Sequence, residues 1–292
     1  MNKRTVPETV FMVFNLVFLF LLCLTFLYPI INSLAKSLSR NEMVMTGTVY
    51  LWPKGFTLAS YSAIFKDSML WTSFRNTLIV VVAGTSLRML VILLAAFGLS
   101  KPDLRGRKII FGLFIFTMYF SGGMIPSFLL IRYLGIYDTL FALILPGTVI
   151  PFYLILAKNY FEQINPNLEE SAMVDGANYF TIFIRIILPV SKPILGVLFI
   201  FTIVGLWNLF MPAVLYTVSS KYSVLQLYVR QMVLEGLNDN TIIGLIDEEM
   251  LTFGTQSKKM AILSVTSIPI LLIYPFFQKY FVKGVMIGSV KE

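Results

Sequence analysis

The sequence predicts an all-α membrane protein: six transmembrane helices with a helix–turn–helix loop on the cytoplasmic side. Three observations carry this. The 292-residue chain is 57% hydrophobic and 13% charged, about half the charged share of an ordinary soluble domain. Its apolar residues gather in six runs of roughly the 20 residues a helix needs to cross the hydrocarbon core. These runs are continuous, whereas barrel strands alternate, and a lipid-exposed segment satisfies its own backbone hydrogen bonds only as helix.

The first span covers about 10–35. Its apolar run is longer than a signal-peptide core, and "YPIINSLAKS" follows it in place of a cleavage site, so a retained first helix is expected. The second covers 76–100 and is interrupted only by Arg88. The third, 109–131, contains Gly122-Gly123 and Pro126, a bend signal tolerated in membrane helices. The fourth, fifth and sixth cover 139–157, 193–218 and 260–279. One transmembrane domain therefore fills residues 1–292, with no repeat, low-complexity tract or soluble domain.

Six spans put both termini on one side. With the N-terminus inside, the inner segments hold 12 Lys/Arg in 66 residues and the outer ones 10 in 86. The short loop "KPDLRGRK" (101–108) is the clearest basic signal, and it belongs in the cytoplasm. The formal net charge of +8 then reflects basic residues near anionic lipid rather than nucleic-acid binding. The outer loops are 36–75 and 219–259, the latter carrying Asp247, Glu248 and Glu249.

Several chemistries are excluded. The chain has no histidine, which removes imidazole acid–base catalysis and His-ligated metals. Its single cysteine, Cys23, lies in an apolar run and cannot pair within the chain. No G-x-x-x-x-G-K-[ST] phosphate loop is present.

The inner loop 161–192 is the most informative segment. It contains "EESAMVDGANYFTIFIRIILPVSKP" (169–193). Asn165-Pro166 starts a helix, and Glu169 and Glu170 sit at its positive end. Gly176 ends or bends it. A second helix is expected over about 179–188, with Phe180, Phe183, Ile184 and Ile187 on one face, stopped by Pro189 and Pro193. The small residues Ser171, Ala172, Gly176 and Ala177 permit close backbone approach, which suits docking into a partner's groove. An ordinary amphipathic loop would show the same periodicity.

The pattern Glu170-Ser171-Ala172, then Gly176, Ile186 and Leu188-Pro189, resembles the "EAA" loop of the transmembrane permeases of ABC importers. Asp175-Gly176-Ala177 and Pro193 match the carbohydrate-uptake, maltose-transporter-like branch, and Ser171 stands where an alanine is usual. "YPIINSLAKSLS", "FRNTLIV", "LWNLFMPAVLY" and "YPFFQKYFVKGVMIGSVKE" extend the resemblance over nearly the whole chain. The nearest group is the oligosaccharide permeases of the pectin-fragment and alginate uptake kind.

The resemblance implies a bacterial cytoplasmic-membrane importer of an oligosaccharide, neutral or acidic, working by alternating access. Glu169, Glu170, Ser171, Ala172, Asp175, Gly176, Ala177 and Pro189 would form the coupling helix and its turn, docked on a cytoplasmic ATPase. Two ATPase subunits would hold the ATP and magnesium, so this chain binds no cofactor and is not itself an enzyme. A second, homologous permease chain and an extracytoplasmic solute-binding protein would complete the assembly.

Sugars are held by aromatic faces and hydrogen-bonding side chains. Candidates for the path are Tyr119, Ser121, Tyr153, Trp207 and Asn208, each of which could equally be packing. Arg88 lies about 18 Å from the inner end of its span, near mid-bilayer, where a charge is costly and faces a cavity or partner. It is expected to face the path or the partner permease, and a guanidinium there would suit a carboxylate. The alternative is a structural bond to helix carbonyls. A permease for a non-sugar solute, a secondary transporter and a membrane enzyme are the rival functions. The second would bring intramembrane acids, which the spans lack.

Overall fold

The computed structural model describes residues 6–238 and 255–287. Among them the regular structure is helical, with a single isolated bridge, Ser39 to Phe56. The helices are α1 Val6–Ser37, α2 Asn41–Met45, α3 Ala59–Phe65, α4 Ser68–Ser100, α5 Arg107–Tyr119, α6 Met124–Tyr133, α7 Phe141–Ile144, α8 Pro151–Glu162 and α9 Asn167–Val174. They continue as α10 Tyr179–Val190, α11 Lys192–Trp207, α12 Met211–Tyr216, α13 Leu225–Asn238 and α14 Thr255–Ile287.

Two of these helices, α1 and α4, are each long and apolar enough to cross a membrane unbroken. The pairs α5–α6 and α10–α11 pass the same test but are bent, by 116° and 84°. The first bend falls at Phe120–Gly123, where Gly123 has φ +84°, as the glycine pair suggested. The expected fourth span, 139–157, is not one helix: α7 stops at Ile144, Pro146 and Gly147 intervene, and α8 restarts at Pro151. Each proline fits where no preceding carbonyl awaits its missing N–H. The fifth run likewise breaks at Asn208–Phe210 before α12. The sixth lies within the longer α14, which contains Pro269 and Pro275. Asp247, Glu248 and Glu249 lie outside the described residues.

The chain forms two compact units. The first comprises residues 1–70 and 229–268. In it α1 exposes its apolar side chains from Val10 to Ile31, as lipid contact requires. The end of α1 is polar and buried: Ser39 Oγ donates to the Ala35 carbonyl, and Asn32 Nδ2 donates to the carbonyls of Val49 and Tyr50. Ser257 in α14 donates to Ser39 O and Asn41 Oδ1.

The second unit comprises 71–228 and 269–292. Its core joins the last turns of α4 (Ile92, Leu93, Ala96, Phe97) to Leu154, Ala157 and Phe161 of α8, Ile182, Phe183 and Ile187 of α10, and Val197 and Leu198 of α11. The Phe97 and Phe183 rings lie 5.1 Å apart. This cluster is the floor on which the 161–192 loop rests.

Candidate coupling surface and transport path

The loop is built by local hydrogen bonding. Asn165 Oδ1 accepts from the Asn167 N–H at 3.0 Å, so Pro166 enters the helix where its missing donor costs nothing. Glu169 and Glu170 occupy the first turn of α9. At the other end Gly176, at φ +84°, donates to Met173 O, and Ala177 N–H reaches back to Ala172 O at 2.9 Å. This is the paired 6→1 and 5→2 arrangement that closes helices with a left-handed glycine. Ala172 and Ala177 rest on the core below. Asn178 then caps α10, its Oδ1 accepting from the Thr181 N–H at 2.8 Å.

Two expectations are corrected in α10. Its buried face is Ile182, Phe183 and Ile187, while Phe180 and Ile184 are 66% and 45% exposed. Residues 183–187 form a π turn, whose extra residue per turn rotates the face away from plain 3.6 spacing. Pro189 does not stop the helix: it lies within it, and the chain turns at Ser191. A widened turn preceding a proline relieves the clash with the carbonyl four residues back.

An ion-pair network that sequence reasoning missed joins the loop to the 101–108 turn. Lys101, the residue after α4, pairs with Glu169 in α9. Arg107 and Lys158 share Glu162, the last residue of α8. Arg107 Nε also donates to Leu99 O at 2.8 Å. Lys101 sits over the Phe97 ring and Lys158 over Phe111. Burial and then the charge of Arg107 hold the Lys158 ammonium below its usual range, and burial raises the Tyr160 phenol. Lys101, Arg107, Glu162 and Glu169 line a cleft of about 480 Å³ with Pro166, Glu170, Met173 and Tyr179. The i, i+4 pair Lys158–Glu162 was the available sequence signal. Glu170, Ser171, Asp175 and Gly176 are exposed.

The path candidates are placed unequally. Tyr119, at 79% exposure, and Ser121 flank the α5–α6 bend on open surface. Trp207 is packed, 3% exposed, with its ring edge-on to Phe74. Asn208 ends α11: its Nδ2 donates to Val204 O, and its Oδ1 accepts from Gln226 Nε2. Tyr153 is half-buried and stacks on Phe201.

Arg88, expected to face the path or the partner permease, is 5% exposed within its own chain. A Cβ on Gly147 would come within 2.7 Å of its Nη2. A larger residue at this α7–α8 break would require the guanidinium to shift. Arg88 interacts electrostatically with Tyr153, and its Nε has no hydrogen-bond partner among the described residues. Thr85 Oγ1, one turn earlier on α4, is likewise buried and without a hydrogen-bond partner among the described residues.

The family pattern for the inner-membrane component of binding-protein-dependent transport systems matches residues 55–287. The chain belongs to this family. Among curated relatives, the permease is 39% identical over 280 residues to the polygalacturonan/rhamnogalacturonan transport system permease YtcP of Bacillus subtilis (strain 168), covering 94% of this chain and 96% of the other. It is 37% identical to Protein LplC of the same organism, over 99% and 97% of the two chains. Among solved structures it matches a chain of a bacterial ABC transporter involved in the import of the acidic polysaccharide alginate, with TM-score 0.87 and 31% identity over 96% of this chain and 100% of that one. The permease is thus a multi-pass, all-helical transport subunit.

Proposed function

We propose that the permease moves an acidic oligosaccharide into the cell by alternating access, driven by ATP that a separate subunit hydrolyses. The observation that carries this reading is α9 itself. Within a binding-protein-dependent permease, it is a short exposed helix ending at Gly176, with Glu170 outward and making no ion pair among the described residues. Glu170 receives a basic side chain of the ATPase. Ser171 and Ala172 allow close approach, and Asp175-Gly176-Ala177 form the turn that passes the movement to α10.

The partners are two ATPase subunits carrying ATP and magnesium, a second permease chain and an extracytoplasmic solute-binding protein, with both termini and the 161–192 loop in the cytoplasm. The acidic substrate class is supported by the names of the relatives, one involved in the import of the acidic polysaccharide alginate and another in polygalacturonan transport. It is also supported by Arg88. A cation at mid-span in a low-dielectric bundle projects a positive field over several ångströms, attracting carboxylates without direct contact. Tyr153 and Asn208 supply the stacking and hydrogen-bonding surfaces, and Tyr119 and Ser121 line the bend. Trp207 supports them from within the packing.

Co-purification tests the assembly. A tagged permease should retain an ATPase subunit and a second permease in detergent, and the complex should hydrolyse ATP faster when loaded binding protein is added. Purification of the permease alone from cells expressing its neighbouring genes would contradict the reading.

A further inference from the structure

The two adjacent glutamates of the coupling segment are in different situations. Glu169 is drawn inward and committed: its carboxylate pairs with Lys101, the two side chains being only 14% and 20% exposed. Glu170 is exposed, with no ion pair among the described residues. We propose that Glu169 is a positioning residue. With Lys101, Arg107, Lys158 and Glu162 it latches α9 to the ends of α4, α5 and α8, so that these four elements move as one body. This rests on the permease reading above.

Three features make the latch necessary. First, α9 is only eight residues long and buries none of them fully. Its contact with the core is through Ala172, with Ala177 just beyond its closing turn, which provide little leverage against rolling. Second, the ion pairs gather the ends of α4, α5 and α8 around α9. Lys101 anchors α9 to the end of α4, and Arg107 binds Glu162 at the end of α8 while donating to Leu99 O at the end of α4. The latter satisfies one of the carbonyls that a helix end leaves unpaired. Third, the cations are held in place. Lys101 lies 4.3 Å from the Phe97 ring centroid, and Phe97 packs on Phe183 of α10. The stem is therefore ordered before the ion pair forms, which reduces the entropy cost that cancels most exposed pairs. A push on α9 then reaches α4, the helix carrying Arg88, through charge pairs and not through a hinge.

The test uses the complete importer in proteoliposomes, with Lys101→Met, Lys101→Glu, Glu169→Lys and the swap Lys101→Glu/Glu169→Lys. Lys101→Met keeps an apolar stem over Phe97 and removes only the charge. Each single variant should retain its ATPase subunits while the sugar imported per ATP falls about fivefold, and the swap should recover at least half of that loss. A nitroxide on Met173 of the isolated permease should become mobile in Lys101→Met and be immobilised again in the swap. Wild-type coupling and probe mobility in Lys101→Met, or a swap no better than its singles, would overturn the latch. Because the probe reports without any partner, that result is distinct from failure of wild-type permease to hold an ATPase, which would overturn the permease reading instead.

Discussion

Asn76 uses both hydrogens of its side-chain amide on one stretch of backbone: Nδ2 lies 2.8 Å from the carbonyls of both Lys221 and Ser223. Ser73 donates to Ser223 Oγ, and Thr77 Oγ1 accepts from the Leu225 N–H that opens α13. A polar stripe at i, i+3, i+4 on α4 thus fixes the entrance to α13. Asn76→Ala leaves the buried Ser223 carbonyl and the partly buried Lys221 carbonyl without this donor and should cost about 2 kcal/mol. A lowered thermal midpoint in detergent, with Asn76→Ser equally impaired because it supplies a single shorter donor, checks this.

Asp138 is a second clamp, and a pH-dependent one. Its carboxylate accepts from the Ser219 hydroxyl and from the N–H groups of Ser219 and Val218. The Ser219 hydroxyl, followed by those two backbone bonds, holds the carboxyl below the usual range. The folded value lies under the unfolded one of about 3.9. The stabilisation is therefore complete above that value and is lost as pH falls through the depressed one. Wild type should lose thermal stability below about pH 4, and Asp138→Asn should be less stable at pH 7 with a flatter acid profile.

Gly84 of α4 lies tightly against Leu206 of α11. A Cβ there would sit 2.8 Å from Leu206 Cδ1, and Leu206 is fully buried, so it has nowhere to retreat. Gly84→Val should destabilise by about 2 kcal/mol through overpacking. Adding Leu206→Ala should cost less than the sum of the two singles, a coupling visible in a double-mutant cycle.

Gly176 has open space around it: a Cβ at this position would meet no atom within 4 Å, and the φ is +84°. The penalty of Gly176→Ala is then backbone strain alone, about 1 kcal/mol, and Gly176→Asn should be milder. Both should reduce sugar-stimulated ATP hydrolysis only partly. Gly176→Pro, whose φ is fixed near −65°, should abolish it.

Much of this was legible in the sequence. The charge-poor runs announced α1 and α4, and the α9 turn followed from Asn165-Pro166 and Gly176, because caps and left-handed glycines are local chemistry. Non-local features were not legible. The break between α7 and α8 makes room for Arg88 beside Gly147, a contact between residues far apart in sequence. The π turn before Pro189 reflects packing on the core, which periodicity cannot register. From the sequence Arg88 is expected to face the path or the partner permease, because a mid-span charge faces a cavity or a partner; that its own chain would bury it beside Gly147 could not be read there. The Lys101–Glu169 pair was hidden for the same reason, since each residue alone resembles a solvated charge.

ATP hydrolysis by the reconstituted permease pair, ATPase and binding protein, compared across neutral and acidic oligosaccharides, tests the central claim most directly. The account predicts stimulation by the acidic class, reduced in Arg88→Gln and lost in Gly176→Pro. Equal stimulation by neutral sugars would contradict the assigned substrate class, and normal coupling in Gly176→Pro would contradict the role given to α9 and its turn.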